Sequence, residues 1–188
     1  MDNRTAEIKF NDLDELVQLH GKYLNNGLGL RSHFEEVLRN PSTIGLKYLI
    51  KGEIAGLLVY VKGIHVSGGE GKHKEIQNHI KMLTNGKNVY TGDALLVCEN
   101  YRKLGISEKL YAALITEMRQ RKVDLALNEL WVYPDGKIPA MKNMKVFSKN
   151  TFIGRYENFY RRSECFDYVC PVCTEDCVCA AEIYLSEI

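Results

Sequence analysis

A chain of 188 residues is long enough for a full hydrophobic core, and we expect one domain over residues 1–188. A formal net charge of +1 gives no support for nucleic-acid binding, and no apolar run approaches the length of a membrane span. The first residues, Met1 to Arg4, lack the apolar core of a signal peptide, so the sequence predicts a cytoplasmic protein.

The N-terminal part of the chain is predicted to form one strand and two helices. The strand is expected over residues 7–10. Asp12 suits the N-cap of a helix that runs to about Leu24, and glycines follow that helix. A second helix is expected to open near Ser32 and to end before Pro41, because the residue preceding proline is biased away from helical geometry.

A β-hairpin and an insertion-like segment come next. Apolar runs at 44–50 and 54–61 flank a short turn, which is the pattern of a hairpin. Residues 62–87 then form the insertion, with a glycine-rich loop and a short helix over 73–83. Five lysines oppose two glutamates in this insertion. It is either a basic patch for an acidic substrate or coenzyme phosphate, or an ordinary solvated helix face, and the second interpretation is favoured.

The C-terminal half alternates strands and helices. A strand over 88–97 and another over 125–132 are separated by a helix, so we expect them to be parallel neighbours. The remaining predicted elements are a helix from about residue 106, a helix over 138–148, a strand over 152–161 and a last strand over 180–188.

The stretch that organises the chain is the turn between the strand ending at Val97 and the helix that follows. The first turn of a helix leaves backbone amides unpaired, and the helix dipole places partial positive charge there. Gly105 lets the backbone approach a ligand closely, and Arg102 and Lys103 add cationic side chains. A strand, a tight turn and a helix N-terminus in this order predict a phosphate site.

These residues resemble a known signature. Val97-x-x-x-x-Arg102-x-x-Gly105-x-Ser107 is similar to the acyl-CoA motif of the GNAT N-acetyltransferase superfamily, with Ser107 where glycine or alanine is usual. The resemblance implies an α/β GNAT fold, a mixed twisted sheet with helices on both faces, and acetyl-CoA as cosubstrate. It also implies a coenzyme site in which pantetheine lies along the strand, the Val97 amide stabilises the oxyanion and the turn holds the pyrophosphate. The implied coenzyme-binding residues are Leu96, Val97, Cys98, Arg102, Lys103, Leu104, Gly105, Ile106 and Ser107.

Asp93 is the candidate catalytic base. It lies in an otherwise apolar strand four residues before Val97, where its carboxylate would be partly desolvated. GNAT-like enzymes often place an acidic base on this strand. The alternative is a structural carboxylate that caps or bridges strands, and the two interpretations are evenly balanced. His20 and His33 either face the acceptor site or are ordinary helix-surface or half-buried residues, and the second interpretation is favoured.

The resemblance weakens at the proton source for the leaving thiolate. Phe147 stands where the family usually has a tyrosine, and Thr151 and Ala140 replace a glycine and an asparagine. Tyr156 or Tyr160 is a possible substitute, or water suffices, since a thiol with a pKa of about 8.5 leaves readily. Cys98 is interpreted as a small buried hydrophobe rather than a nucleophile.

A cysteine-rich segment at 165–179 carries a separate prediction. Cys170-x-x-Cys173 is a usual half of a zinc site, whereas Cys177-x-Cys179 is a less usual second half. The four thiolates of Cys170, Cys173, Cys177 and Cys179 would bind one Zn²⁺ in a tight hairpin. The alternatives are buried thiols in an extended last hairpin and a redox-responsive thiol pair.

These observations predict an N-acetyltransferase. It would transfer an acetyl group from acetyl-CoA to a primary amine of a small molecule or peptide, by direct attack in a ternary complex. Zinc is a second candidate cofactor, which the cysteine segment would bind. Two alternatives stay open, a non-catalytic CoA-binding module and a metal- or redox-responsive protein that uses the cysteines.

Overall fold

The computed structural model describes residues 3–25, 27, 29–68, 71–161, 169–173 and 177–188. Within them, seven strands form one sheet in the order β1-β2-β3-β4-β5-β7-β6. The strands are β1 Arg4–Glu7, β2 Ile44–Ile50, β3 Glu53–Lys62, β4 Val89–Val97, β5 Leu125–Val132, β6 Lys149–Tyr156 and β7 Ala180–Glu187. The α-helices are α1 Leu13–Tyr23, α2 Leu30–Arg39, α3 Gly71–Leu83 and α4 Ile106–Gln120.

The sheet is mixed, as the resemblance predicted. Strands β1 to β4 pair antiparallel in sequence order, and β5 then lies parallel to β4 because α4 carries the chain back across the sheet. Strand β7 lies between β5 and β6 and is antiparallel to both. The predicted parallel pairing of β4 and β5 is therefore confirmed.

Helices cover both faces of the sheet, which confirms the expected layering. Helix α4 packs one apolar side, including Leu110 and Leu114, against β2, β3 and β5. On the opposite face, α1 and α2 pack through Leu16 and Phe34 against β3 and β4. Strand β3 is buried on both faces, and this explains its unbroken apolar sequence.

Strands β4 and β5 separate soon after they meet. Only Val89, Tyr90 and Thr91 of β4 pair with β5, so the rest of β4 has an open edge toward β5. The Tyr60 hydroxyl bridges this separation by donating to Oδ1 of Asn128 on β5. The separation creates a cleft in the middle of the sheet, next to the predicted coenzyme turn.

Several predicted boundaries are wrong. Residues 138–148 do not form an α-helix; a 3-10 helix over Met141–Val146 buries Met144 against the core, and the chain is then extended at Phe147. Strand β6 consequently starts at Lys149 and ends at Tyr156, earlier than the predicted 152–161. The first strand is Arg4–Glu7, so it overlaps the predicted 7–10 only at Glu7, and Phe10 already begins a 3-10 turn.

The insertion over 62–87 contains the expected helix, α3. Its buried side, His73, Ile76 and Ile80, packs into an apolar cluster with Phe159. The helix therefore supports the chain between β6 and β7 instead of standing apart from the sheet. In the described part of the chain, no helix combines the length and apolar character that crossing a bilayer requires.

Candidate active site

The predicted phosphate turn has the backbone geometry of an anion-binding concavity. After Val97, the chain makes a 3-10 turn over Glu99–Tyr101. Lys103 and Gly105 then adopt left-handed φ angles of +65° and +70°, and Gly105 is the N-cap of α4, which begins at Ile106. A turn with left-handed residues at a helix N-terminus directs successive amide groups toward a shared point, an arrangement that binds anions.

The amides of this turn are available to a ligand. Within the described residues, the N–H groups of residues 103–108 have no hydrogen-bond acceptor. Partial positive charge from the α4 dipole adds to the side-chain charges of Arg102 and Lys103, which are both exposed. Ile106 and Ser107 are buried and anchor the helix, while Leu104 is exposed at the tip of the turn.

Strand β4 presents backbone groups to the cleft. The Cys98 amide donates to the carbonyl oxygen of Ala55 on β3 at 2.9 Å, so by strand alternation the Val97 amide points to the opposite, open edge. The carbonyl oxygen of Val97 accepts a hydrogen bond from Nε of Arg102 at 3.3 Å. Val97 therefore has both backbone groups on the cleft side.

Gly56 brings β3, β4 and α4 close together beneath this edge. A Cβ atom added at Gly56 would lie 2.9 Å from the carbonyl oxygen of Leu96 and 3.0 Å from the Ile106 side chain. Any larger residue would push the strand or the helix outward. Gly56 therefore allows β4 and the first turn of α4 to pack closely against β3.

Cys98 is a buried thiol, as predicted. Its Sγ donates to the Ile54 carbonyl oxygen at 3.3 Å, and burial raises the pKa of the thiol. A protonated, hydrogen-bonded thiol is a poor nucleophile. Cys98 therefore contributes to the site through its backbone and not through its thiol.

Asp93 lies in a β-bulge. Val59 pairs with Ala94 while the next residue, Tyr60, pairs with Gly92, so Asp93 is the extra residue on β4. Bulges redirect side chains and are common beside active sites. The bulge coincides with the point where β4 leaves β5, and the carboxylate there is only 18% exposed.

Two histidines lie near this carboxylate. His33 of α2 has Nε2 3.1 Å from the Asp93 carboxylate, and this hydrogen bond raises the pKa of His33. The His33 side chain is 44% exposed, so it also reaches solvent. His20 of α1 is buried, donates from Nδ1 to the Asn25 carbonyl oxygen at 3.0 Å, and packs edge-on against Phe34. Burial lowers the pKa of His20 and so favours the neutral ring.

A second carboxylate near the cleft, Glu129, was not predicted from the sequence. Glu129 on β5 lies two residues beyond the last pair with β4. It accepts hydrogen bonds from the Tyr160 hydroxyl at 2.8 Å and the Ser67 amide at 3.1 Å, and burial raises its pKa. An acidic residue in a mostly apolar strand is the same signal that identified Asp93.

The structure shows where the candidate proton donors for the leaving thiolate lie. Phe147 is buried against Tyr111, so no hydroxyl occupies the position of the family's usual tyrosine. The Tyr160 hydroxyl is committed to Glu129, and Tyr156 packs beside Phe159 at the far end of the sheet. Neither of the two tyrosines named from the sequence therefore has a free hydroxyl beside the coenzyme turn.

The four cysteines of the proposed zinc site converge. The Sγ atoms of Cys170, Cys173, Cys177 and Cys179 all lie within 4.8 Å of one another. None of them is in a disulfide. Burial raises the pKa of Cys177 to about 12. Cys165, the remaining cysteine of this segment, lies outside the described residues.

Solved structures with the same architecture include N-acetyltransferases. Arabidopsis thaliana NAA60 in complex with acetyl-CoA aligns with a TM-score of 0.69 and 17% identity over 100% of this chain and 99% of that chain. Drosophila melanogaster polyamine N-acetyltransferase aligns at 0.66 and 9% identity over 100% of both chains. The ribosomal-protein-S18-alanine N-acetyltransferase of Escherichia coli aligns at 0.61 and 12% identity over 99% of this chain and 94% of that chain.

These similarities define the fold. The chain has the GNAT fold, so the resemblance found in the sequence is confirmed at the level of architecture. No family model and no curated protein matches the sequence.

Proposed function

We propose that this protein is an acetyl-CoA-dependent N-acetyltransferase. The observation that carries the proposal is the arrangement of β4: one strand carries Asp93 in its bulge, an open backbone edge at Val97, and then the unpaired amides of residues 103–108. Acyl transfer from a CoA thioester requires three parts: a base, an amide that polarises the carbonyl group and a site for the phosphates. The likeness to a fold solved with acetyl-CoA supports the same conclusion.

In this proposal the coenzyme fills the separation between β4 and β5. Pantetheine carries amide groups, and it would lie along Leu96, Val97 and Cys98 as an added strand does. The Val97 amide would donate to the thioester carbonyl oxygen, where negative charge develops. The pyrophosphate would sit on the turn from Arg102 to Ser107, within reach of two cationic side chains.

The reaction begins with deprotonation of the acceptor, since an ammonium has no lone pair. Asp93 accepts the proton, and neutral His33 takes it from Asp93 and passes it to solvent. The amine nitrogen then attacks the thioester carbon, and the tetrahedral intermediate collapses with cleavage of the C–S bond. The CoA thiolate leaves and is protonated by water. Direct attack in a ternary complex needs no enzyme nucleophile, consistent with the buried thiol of Cys98.

The acceptor is expected to be a cationic primary amine, in a small molecule or a peptide. Asp93 and Glu129 supply two carboxylates on adjacent strands at the cleft, whereas the cationic side chains of Arg102 and Lys103 lie at the coenzyme turn. This asymmetry places negative charge on the acceptor side and positive charge on the coenzyme side. A cytoplasmic location stays a prediction.

One alternative has a specific observation in its favour. The buried phenyl ring of Phe147 replaces the family's usual proton donor, which suits a CoA-binding module without catalysis. The Asp93–His33 pair opposes it, because binding alone does not need a base in the cleft. The two functions differ in turnover and share coenzyme binding.

A two-stage experiment tests the proposal. Thermal shift and calorimetry with acetyl-CoA should show saturable binding to the full chain. A panel of polyamines, aminoglycosides and peptides with free N-termini is then assayed by release of CoA thiol. We expect at least one amine to give turnover above the hydrolysis rate. Binding with no amine-dependent turnover would establish the CoA-binding module, and absence of binding would refute both.

A further inference from the structure

The convergence of four cysteines is not explained by acetyl transfer. They lie in the connection between β6 and β7, which spans residues 157–179. Around a single Zn²⁺ with Zn–S bonds of about 2.3 Å, tetrahedral sulfurs are about 3.8 Å apart. The four Sγ atoms already lie within 4.8 Å of one another, and the Sγ atoms of Cys173 and Cys179 are 3.5 Å apart. Their spacing is thus close to that of a one-metal tetrathiolate.

Backbone amides point at the sulfurs. The Cys173 amide donates to Sγ of Cys170 at 3.3 Å, which closes the Cys-x-x-Cys turn. The backbone N–H groups of Val178 and Cys179 also face Sγ of Cys173 and Sγ of Cys177. A zinc ion with four thiolates carries a net charge of −2, and amide donors to sulfur disperse that charge.

The site is closed to solvent by apolar side chains. Cys170, Cys177 and Cys179 are buried and belong to the apolar cluster that contains Phe159. The carbonyl oxygen of Cys179 accepts from the Phe159 amide at 3.0 Å, and the Phe159 carbonyl accepts from Nε2 of His73 on α3. Four protein ligands in a closed shell leave no open coordination position, which is the pattern of structural zinc.

We infer that Cys170, Cys173, Cys177 and Cys179 bind one Zn²⁺, which fixes the β6–β7 connection. Binding replaces four thiol protons with one metal ion, and the protons pass to solvent. Soft thiolate ligands in tetrahedral geometry favour zinc over harder cations such as Mg²⁺. Four uncoordinated thiols would pack as scattered hydrophobes, with no reason to aim every sulfur at a common centre.

The zinc site also has a consequence for the acceptor, which rests on the proposed function. Val169 immediately precedes Cys170, and its amide donates to Oδ1 of Asn25 at 2.9 Å. Asn25 follows α1 and its carbonyl oxygen holds His20 near Asp93. The zinc-bound segment therefore forms a wall of the acceptor side. Metal loss should raise the KM for the amine more than it weakens acetyl-CoA binding.

Metal analysis of the full chain tests the site. Protein purified without chelator from zinc-supplemented medium should contain about one zinc per chain by elemental analysis. Cys177→Ser should lose the zinc, whereas Cys98→Ser, which changes a cysteine outside the cluster, should retain it. Three results for the wild-type protein would overturn the proposal. They are less than about one tenth of a zinc per chain, stoichiometric iron, or a disulfide among the four cysteines.

Two further measurements keep the test decisive. If Cys177→Ser does not fold, the test uses wild-type protein reconstituted with Co²⁺. We expect the visible absorption of tetrahedral cobalt together with thiolate charge-transfer bands. Absence of these bands would refute the site. If zinc is stoichiometric but no amine is acetylated, the metal site stands and only the acetyltransferase proposal fails. If zinc removal changes the KM for the amine by less than twofold, the zinc-bound segment does not form a wall of the acceptor site.

Discussion

Nε2 of His33 lies 3.1 Å from the carboxylate of Asp93, joining helix α2 to the bulge of strand β4. The two residues are 60 positions apart in the chain. Their contact places a titratable, partly exposed imidazole between a half-buried carboxylate and solvent. This geometry supports a route by which a proton leaves the cleft.

Asp93→Asn should abolish most turnover while preserving the coenzyme site. We expect kcat to fall by about 10²–10⁴-fold, the usual contribution of general-base catalysis. The acetyl-CoA dissociation constant, measured by calorimetry, should stay within twofold, because residues 103–108 are unaffected. Asp14→Asn is the control, since that carboxylate is exposed and pairs with Arg31 at the surface. Near-normal turnover of the Asp93 variant would assign Asp93 a structural role.

His33→Gln tests the proton route through the pH profile. Wild-type His33 must be neutral to accept a proton, and the Asp93 carboxylate raises its pKa above the ordinary 6.5. The wild-type kcat/KM should therefore fall as the pH decreases through this raised pKa. Glutamine keeps a donor for Asp93 but does not titrate, so the acid limb should move to lower pH with the same amine. An identical acid limb in both proteins would exclude His33 from the route.

The same pair affects stability with a defined sign. Because the folded-state pKa of His33 is raised, its stabilisation is fully present below pH 6.5 and is lost as the pH rises through the raised value. The free energy of unfolding lost in His33→Gln should therefore be larger at pH 5.5 than at pH 8.5. Urea denaturation at the two pH values measures this difference, and equal losses would contradict the pairing.

The extent to which the sequence predicted this site depends on how local each signal is. The turn from Val97 to Ser107 was predictable because strand, glycine and helix periodicity are consecutive in the chain. The contact of Asp93 with His33 depends on how α2 packs on the sheet, which no local pattern encodes. The wrong helix at 138–148 has a similar cause, since apolar spacing was correct but Met144 packs from a 3-10 helix instead. The zinc hypothesis followed from spacing alone, whereas the convergence of the sulfurs needed the chain path.

Gly105→Val should remove acetyl-CoA binding without a matching loss of fold. Gly105 has φ of +70°, a conformation that costs a β-branched residue about 1–2 kcal/mol or more, so the amides of the turn would reorient. Gly86→Val is a matched control, because Gly86 has φ of +74° and open space around its Cα in the loop before β4. Both variants should lose similar stability, and only Gly105→Val should lose coenzyme affinity in calorimetry. Unchanged affinity in folded Gly105→Val would refute the phosphate site.

Tyr60 and Asn128 hold the two sides of the cleft together. The Tyr60 ring crosses β4 at Gly92, where an added Cβ would lie 3.1 Å from the ring, and its hydroxyl donates to Oδ1 of Asn128. The Nδ2 group of Asn128 continues the contact by donating to Ser186 on β7 at 2.9 Å. The bond therefore connects β3 with β5 where β4 and β5 separate, at a buried position that water does not reach.

Tyr60→Phe should accordingly destabilise the protein more than a surface tyrosine change does. The variant leaves the Asn128 carbonyl oxygen buried without its donor, and an unsatisfied buried acceptor costs about 1–3 kcal/mol. Tyr101→Phe is the control, because the Tyr101 hydroxyl bonds Glu53 at an exposed site and its loss should cost less than about 0.5 kcal/mol. Urea denaturation of both variants at one pH provides the comparison. Equal stabilities for the two variants would mean that the Tyr60–Asn128 bond does not hold the cleft, and that the separation of β4 and β5 is maintained by apolar packing of α4 alone.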